Sequence, residues 1–103
     1  MVIKEILEEL ETKNHPVAKA LHVGKDFKVL IIAFKKDMVL KEHKTSLNTK
    51  LTVLNGSVTY DNGTKKVILN QYDEYIIPID EVHSVTAIDD ALCLLTQGFF
   101  LRT

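Results

Sequence analysis

The residues best suited to chemistry in this chain are four histidines, His15, His22, His43 and His83. Imidazole changes charge near neutrality, and its neutral form offers one donor and one acceptor. His43 and His83 stand out. One ends and the other begins a predicted strand, and they lie 40 residues apart. Two imidazoles projecting into one mouth hold a metal or hydrogen-bond an acid or carbonyl ligand. No two histidines have the short spacing of a helical zinc motif, and the single cysteine, Cys93, sits near none of them. Within DALCLLT, Cys93 reads as a buried small hydrophobe rather than a reactive thiol. There is no Walker loop, no glycine-rich dinucleotide turn and no nucleophile elbow. Lys41, Lys44 and Lys50 surround His43. They are either solvated surface or a rim that attracts anions.

These side chains need elements to position them, and the hydrophobic period supplies the elements. Residues 2–13 read as the one helix, with Val2, Ile3, Ile6, Leu7 and Leu10 on one face. Asn14, His15 and Pro16 stop it, because proline disfavours helix in the residue before it. A helix this short must dock its apolar face, on its own domain or on a partner subunit. From residue 17 the pattern becomes short strands: 17–23, 27–35, 37–43, 49–55, 57–61, 66–69, 74–78, 82–88 and 91–97. They are rich in Val, Ile, Leu, Thr and Tyr, which suit a half-buried pleated surface. Turn signals fall at Gly24 and Asp26, Asn55-Gly56, Asp61-Asn62-Gly63 and Asp89-Asp90. Read as a two-residue hairpin, Asn55-Gly56 pairs Leu54 with Ser57 and Val53 with Val58. That places Leu51, Val53, Val58 and Tyr60 on the inner face and carries one phenolic hydroxyl inside. The expected architecture is mostly β, an antiparallel barrel or jelly-roll over residues 17–103, preceded by a helix and stop over 1–16.

The stretch HKTSLNTKLTVLNGSVTY, followed by LNQYDEYIIPIDEVHSVTA, resembles the two characteristic segments of the cupin superfamily. In that family the first segment carries two histidines and a glutamate, then a strand ending in a glycine turn. The second carries Gly-Asp, a short strand, Pro-x-Gly and a final histidine. Here His43 and His83 take the first and last histidine positions, while Thr45 and Thr49 stand at the second histidine and the glutamate. Gly56 and Pro78 keep their places; Tyr72 and Asp80 replace glycines. The resemblance implies a barrel whose mouth gathers His43, Thr45, Thr49 and His83, with Tyr60 inside. The family's metal would be held here by His43 and His83 alone, because a neutral hydroxyl is a poor ligand for a transition metal. The expectation is therefore no tightly bound metal, a weak divalent ion at most, and a small organic, anionic ligand. The alternative is a metal-dependent enzyme of the dioxygenase or isomerase type using His43 and His83, with His22 adding a third imidazole if it points inward.

Composition bounds the partners. The chain of 103 residues is 46% hydrophobic and 26% charged, ordinary for one soluble domain. Its formal net charge of -1 lacks the basic excess of a nucleic acid binder. The longest apolar run, Val29 to Phe34, is 6 residues, against about 20 for a membrane helix. A lone cysteine and an acidic, amphipathic start suggest a cytoplasmic protein without a secretory signal. A homodimer is expected from the resemblance, and from outward Leu54 and the run GFFL, which need covering.

Overall fold

The computed structural model describes residues 1–98, except for the side chains of Glu42 and His43. Its elements are α1 (Val2–Leu10), β1 (Val17–Val23), β2 (Phe27–Phe34), β3 (Val39–His43), β4 (Thr49–Asn55), β5 (Val58–Asp61), β6 (Lys66–Leu69), β7 (Glu74–Ile77), β8 (His83–Ala87) and β9 (Ala91–Gly98). They form two antiparallel sheets, ordered β1-β2-β9-β4-β7 and β3-β8-β5-β6. The inner faces meet over Ile32, Phe34, Leu51, Val53, Val58, Tyr60, Ile77, Val85 and Cys93. This is the expected jelly-roll with one N-terminal helix.

The helix covers the outer face of its own five-stranded sheet. Ile6 and Leu10 are buried there with Val17, Ile31 and Ala33, and Leu54, Leu92 and Leu94 pack alongside. Leu54 is thus partly covered from within the chain, while Phe99 and Phe100 lie outside the described residues. The helix ends three residues before the predicted 13. The amides of Glu11, Thr12 and Lys13 bond the carbonyls of Glu8, Glu9 and Leu10, so the last turn tightens.

Asn55-Gly56 corrects the hairpin reading. β4 and β5 do not pair: β4 lies between β9 and β7, and β5 between β8 and β6. The dipeptide carries the chain from one sheet to the other. Gly56 has φ 76°, and a Cβ there would stand 2.1 Å from the backbone oxygen of Asp90. The amide of Ile88 bonds the Ser57 carbonyl at 2.9 Å, which pins the crossing to the β8–β9 turn. The predicted facing survives, since Leu51, Val53, Val58 and Tyr60 are all core. By contrast, Asp61-Asn62-Gly63 does turn a hairpin, with Asp61 paired to Lys66 and Gly63 at φ 94°. β3 begins at Val39 rather than 37 because Asp37 adopts φ 70° and the Met38 amide closes a turn on Lys35. Tyr72 and Asp80, at the two family glycine positions, also have positive φ, 71° and 63°. The fold keeps those left-handed turns at about 1–2 kcal/mol each.

Candidate functional site at the barrel mouth

Short loops bring the candidate positions to one end of the sandwich. Residues 44–48 join β3 to β4, and residues 78–82 join β7 to β8. The two loops are tied by the Asp80 amide on the Thr45 carbonyl at 2.8 Å. The register sets His43 opposite His83, and Thr49 opposite both Ile77 and Gln97. A bulge decides the first pairing. Leu40 faces Val85, so two steps along β3 would bring Glu42 opposite His83; the extra residue brings His43 instead.

Tyr60 and His83 are in ring contact, stacked with centroids 5.0 Å apart, and the tilted Tyr75 ring has its centroid 4.6 Å from that of Tyr60. Both Tyr60 and His83 are buried. The Tyr60 hydroxyl donates to Glu81 Oε2, and Asn62 Nδ2 donates to Glu81 Oε1 at 3.1 Å. The hydrogen bond from Tyr60 leads in holding the Glu81 carboxyl below its usual range. Burial, then the bond to Glu81, raises the Tyr60 phenol well above its ordinary value. The pair is therefore a neutral phenol on a carboxylate across the neutral range. His83 Nδ1 lies 2.9 Å from the Glu81 carbonyl oxygen. A carbonyl only accepts, so Nδ1 carries the hydrogen, and any bond from His83 to a ligand or metal goes through Nε2.

The two threonines do different work. Thr49 is buried and alternates with Leu51 and Val53, so it faces inward. Its hydroxyl donates to the Leu47 carbonyl at 3.1 Å and accepts from Gln97 Nε2 at 3.4 Å. Thr45 is half-buried, and its hydroxyl accepts from the Leu47 amide at 3.1 Å. Both hydroxyls hold the β3–β4 loop. Of the lysines around His43, Lys50 lies on the outer face of β4 and pairs with Glu74 at 2.7 Å, so it is no part of a rim. His22 is exposed, opposite outward Val29 across a bulge, and does not reach the interior. His15 is exposed beside the helix stop, with Nδ1 on the Pro16 carbonyl.

Sequence reasoning passed over Glu81, Asn62, Tyr75, Lys28 and Gln97. Glu81 lies two residues before His83, which is the signal that could have found it. Lys28 and Gln97 show themselves only through register. Lys28 pairs with Gln97, and Gln97 with Thr49, in a row across the inner face. The next inner row, Leu30, Leu95, Leu51 and Tyr75, is mainly apolar. A polar row thus crowns an apolar floor. Beside it a cavity of about 590 Å³ opens between the β1–β2 turn and the β3–β4 loop. A smaller one of about 100 Å³ lies against His83, Asn62 and Ser84.

The hydroxyls at two of the four family ligand positions suit a divalent metal poorly. Thr45 and Thr49 offer neutral hydroxyls already used within the loop, and both carboxylate oxygens of Glu81 accept hydrogen bonds. No helix among the described residues is long and apolar enough to cross a membrane.

No family model matches the sequence, and no curated protein does. The fold does have solved counterparts. An RmlC-like cupin from Desulfovibrio desulfuricans aligns with a TM-score of 0.75 at 23% identity, over 82% of each chain. A cupin superfamily protein from Desulfitobacterium hafniense gives 0.78 at 16% identity, over 85% of this chain and 81% of that one. A cupin-2 domain protein from Shewanella frigidimarina gives 0.72 at 12%, over 89% of both. With two sheets in this order, both histidine positions at one mouth and these counterparts along most of its length, the chain has the cupin fold.

Proposed function

We propose that this cupin-fold chain binds a small organic anion at the barrel mouth without a tightly held metal. The observation that carries the reading is the polar row over an apolar floor beside an open cavity of ligand size. The Gln97 amide and the Lys28 ammonium supply donors suited to a carboxylate or carbonyl. The positive charge at the mouth comes from Lys28 and Lys25, both beside the cavity, rather than from Lys50. The test pairs elemental analysis of protein purified without a histidine tag or chelator with thermal-shift screening of small organic acids, before and after EDTA. Acid-induced stabilisation that survives EDTA supports the reading. One transition metal per chain retained through dialysis overturns it.

A second reading, a metal-dependent enzyme using His43 and His83, draws on the register that sets those two backbones opposite each other. Retained metal together with turnover of an added substrate would favour it.

A further inference from the structure

We infer that Lys28 and Gln97 form a selecting wall for an organic carboxylate with an apolar body, seated between the β1–β2 turn and the β3–β4 loop. The inference rests on the proposed binding of an organic anion at the mouth, and adds the ligand's class and the residues that choose it.

The wall follows from register and from one hydrogen-bond chain. β2 runs without a bulge against β9, and Leu30, Ile32 and Phe34 contact the core. Lys28 continues that alternation, so its side chain rises from the inner face at the mouth, where it lines the cavity. Across from it, Gln97 is oriented by Thr49. The Thr49 hydroxyl spends its hydrogen on the Leu47 carbonyl and can only accept from Gln97. Gln97 must therefore present its amide nitrogen, which keeps a second N–H for a ligand oxygen. One ammonium and one amide N–H, side by side on neighbouring strands, match the two oxygens of a carboxylate. Lys25, Lys28 and Asp26 make no ion pair among the described residues, which leaves one net positive charge beside the cavity. That balance suits a monoanion better than a phosphate dianion.

The remaining walls ask for hydrocarbon. Val23, Phe27, Leu47 and Ile79 line the cavity and are 73%, 47%, 44% and 51% exposed, so apolar surface is left for a ligand to cover. The frame is preformed. The Gly98 amide bonds the Asn48 carbonyl at 3.0 Å, and a Cβ on Gly98 would stand 2.2 Å from the Asp26 oxygen. Gly98 thus pins the β3–β4 loop on one side and the β1–β2 turn on the other.

The test is amide chemical-shift mapping on the full chain with straight-chain carboxylates from butyrate to decanoate, each against its primary amide. The expected result is movement of residues 24–28, 46–48, 97 and 98 by the acids. Affinity should rise with chain length and exceed that of the amides by roughly tenfold, the worth of one charge-assisted hydrogen bond. Lys28→Met should remove that preference, and Lys28→Arg should keep it. Equal binding of acids and amides, or an unchanged preference in Lys28→Met, overturns the inference. Shifts confined to 60–62 and 81–84 overturn it too, while leaving the mouth as the binding place. Silence of the whole spectrum to every acid overturns both the inference and the function it rests on.

Discussion

Replacing Gly56 and Gly63 separately by Asn separates conformational strain from collision at the sheet crossing. Both glycines have positive φ, 76° and 94°. Asn tolerates the left-handed region better than other residues, so strain alone costs about 1 kcal/mol at each. Gly63 has no atom within 4 Å of a built Cβ, and strain is all that Gly63→Asn should pay. At Gly56 the same Cβ meets the Asp90 oxygen at 2.1 Å and the Ala91 Cα at 3.0 Å. Both are backbone, so the crossing must move away from the β8–β9 turn and weaken the Ile88–Ser57 hydrogen bond. Overpacking of that kind costs about 1–3 kcal/mol more, for a total near ~3 kcal/mol. At about 4–8 °C per kcal/mol for a domain of this size, Gly63→Asn should lower Tm by roughly 4–8 °C and Gly56→Asn by roughly 12–24 °C. Urea and thermal unfolding followed by circular dichroism read both. A free two-residue hairpin would accept Asn at either place, so equal losses would refute the crossing argument.

Further outcomes follow from the same structure. Tyr60→Phe keeps the ring on His83 and removes the hydroxyl that depresses the Glu81 carboxyl, so NMR titration should show that carboxyl rising toward its ordinary value. A depressed carboxyl adds stability above its unfolded pKa and loses it as pH falls through the folded one. The stability gap between wild type and Tyr60→Phe should therefore close below the ordinary carboxylate range, and a gap constant down to pH ~2 would contradict this. Burial pushes the Cys93 thiol up to about 12, so iodoacetamide at pH ~8 should label it only at the rate of unfolding; prompt labelling of native protein would contradict its burial. A raised thiol loses stability as pH climbs from its unfolded value of ~8.5 toward the folded one, so unfolding should become easier over that alkaline window. The Thr45→His, Thr49→Glu double variant should retain a divalent metal after dialysis where the wild type does not; equal metal content in both would count against the ligand argument. Light scattering at micromolar concentration should report a dimer, and a monomer would remove that expectation.

The alternation of apolar residues was enough to read nearly every strand from the sequence, because burial on one face imposes a two-residue period whatever lies opposite. The inward set Leu51, Val53, Val58 and Tyr60 is legible for the same reason, even though β4 and β5 proved to lie in different sheets. The places of His43 and His83 at the ends of predicted strands, together with the family resemblance, singled those two residues out. What the sequence could not carry is partner choice between distant strands. Asn55-Gly56 has the local chemistry of a hairpin, and only the approach of Asp90, 34 residues further along, makes it a crossing. The bulge in β3 decides whether Glu42 or His43 stands opposite His83, and it exists only in relation to β8. Lys28, Thr49 and Gln97 are far apart in the chain and belong to one row only because β9 pairs with both β2 and β4. Local pattern fixes which way each residue faces; the pairing of strands, a tertiary event, decides which residues face each other.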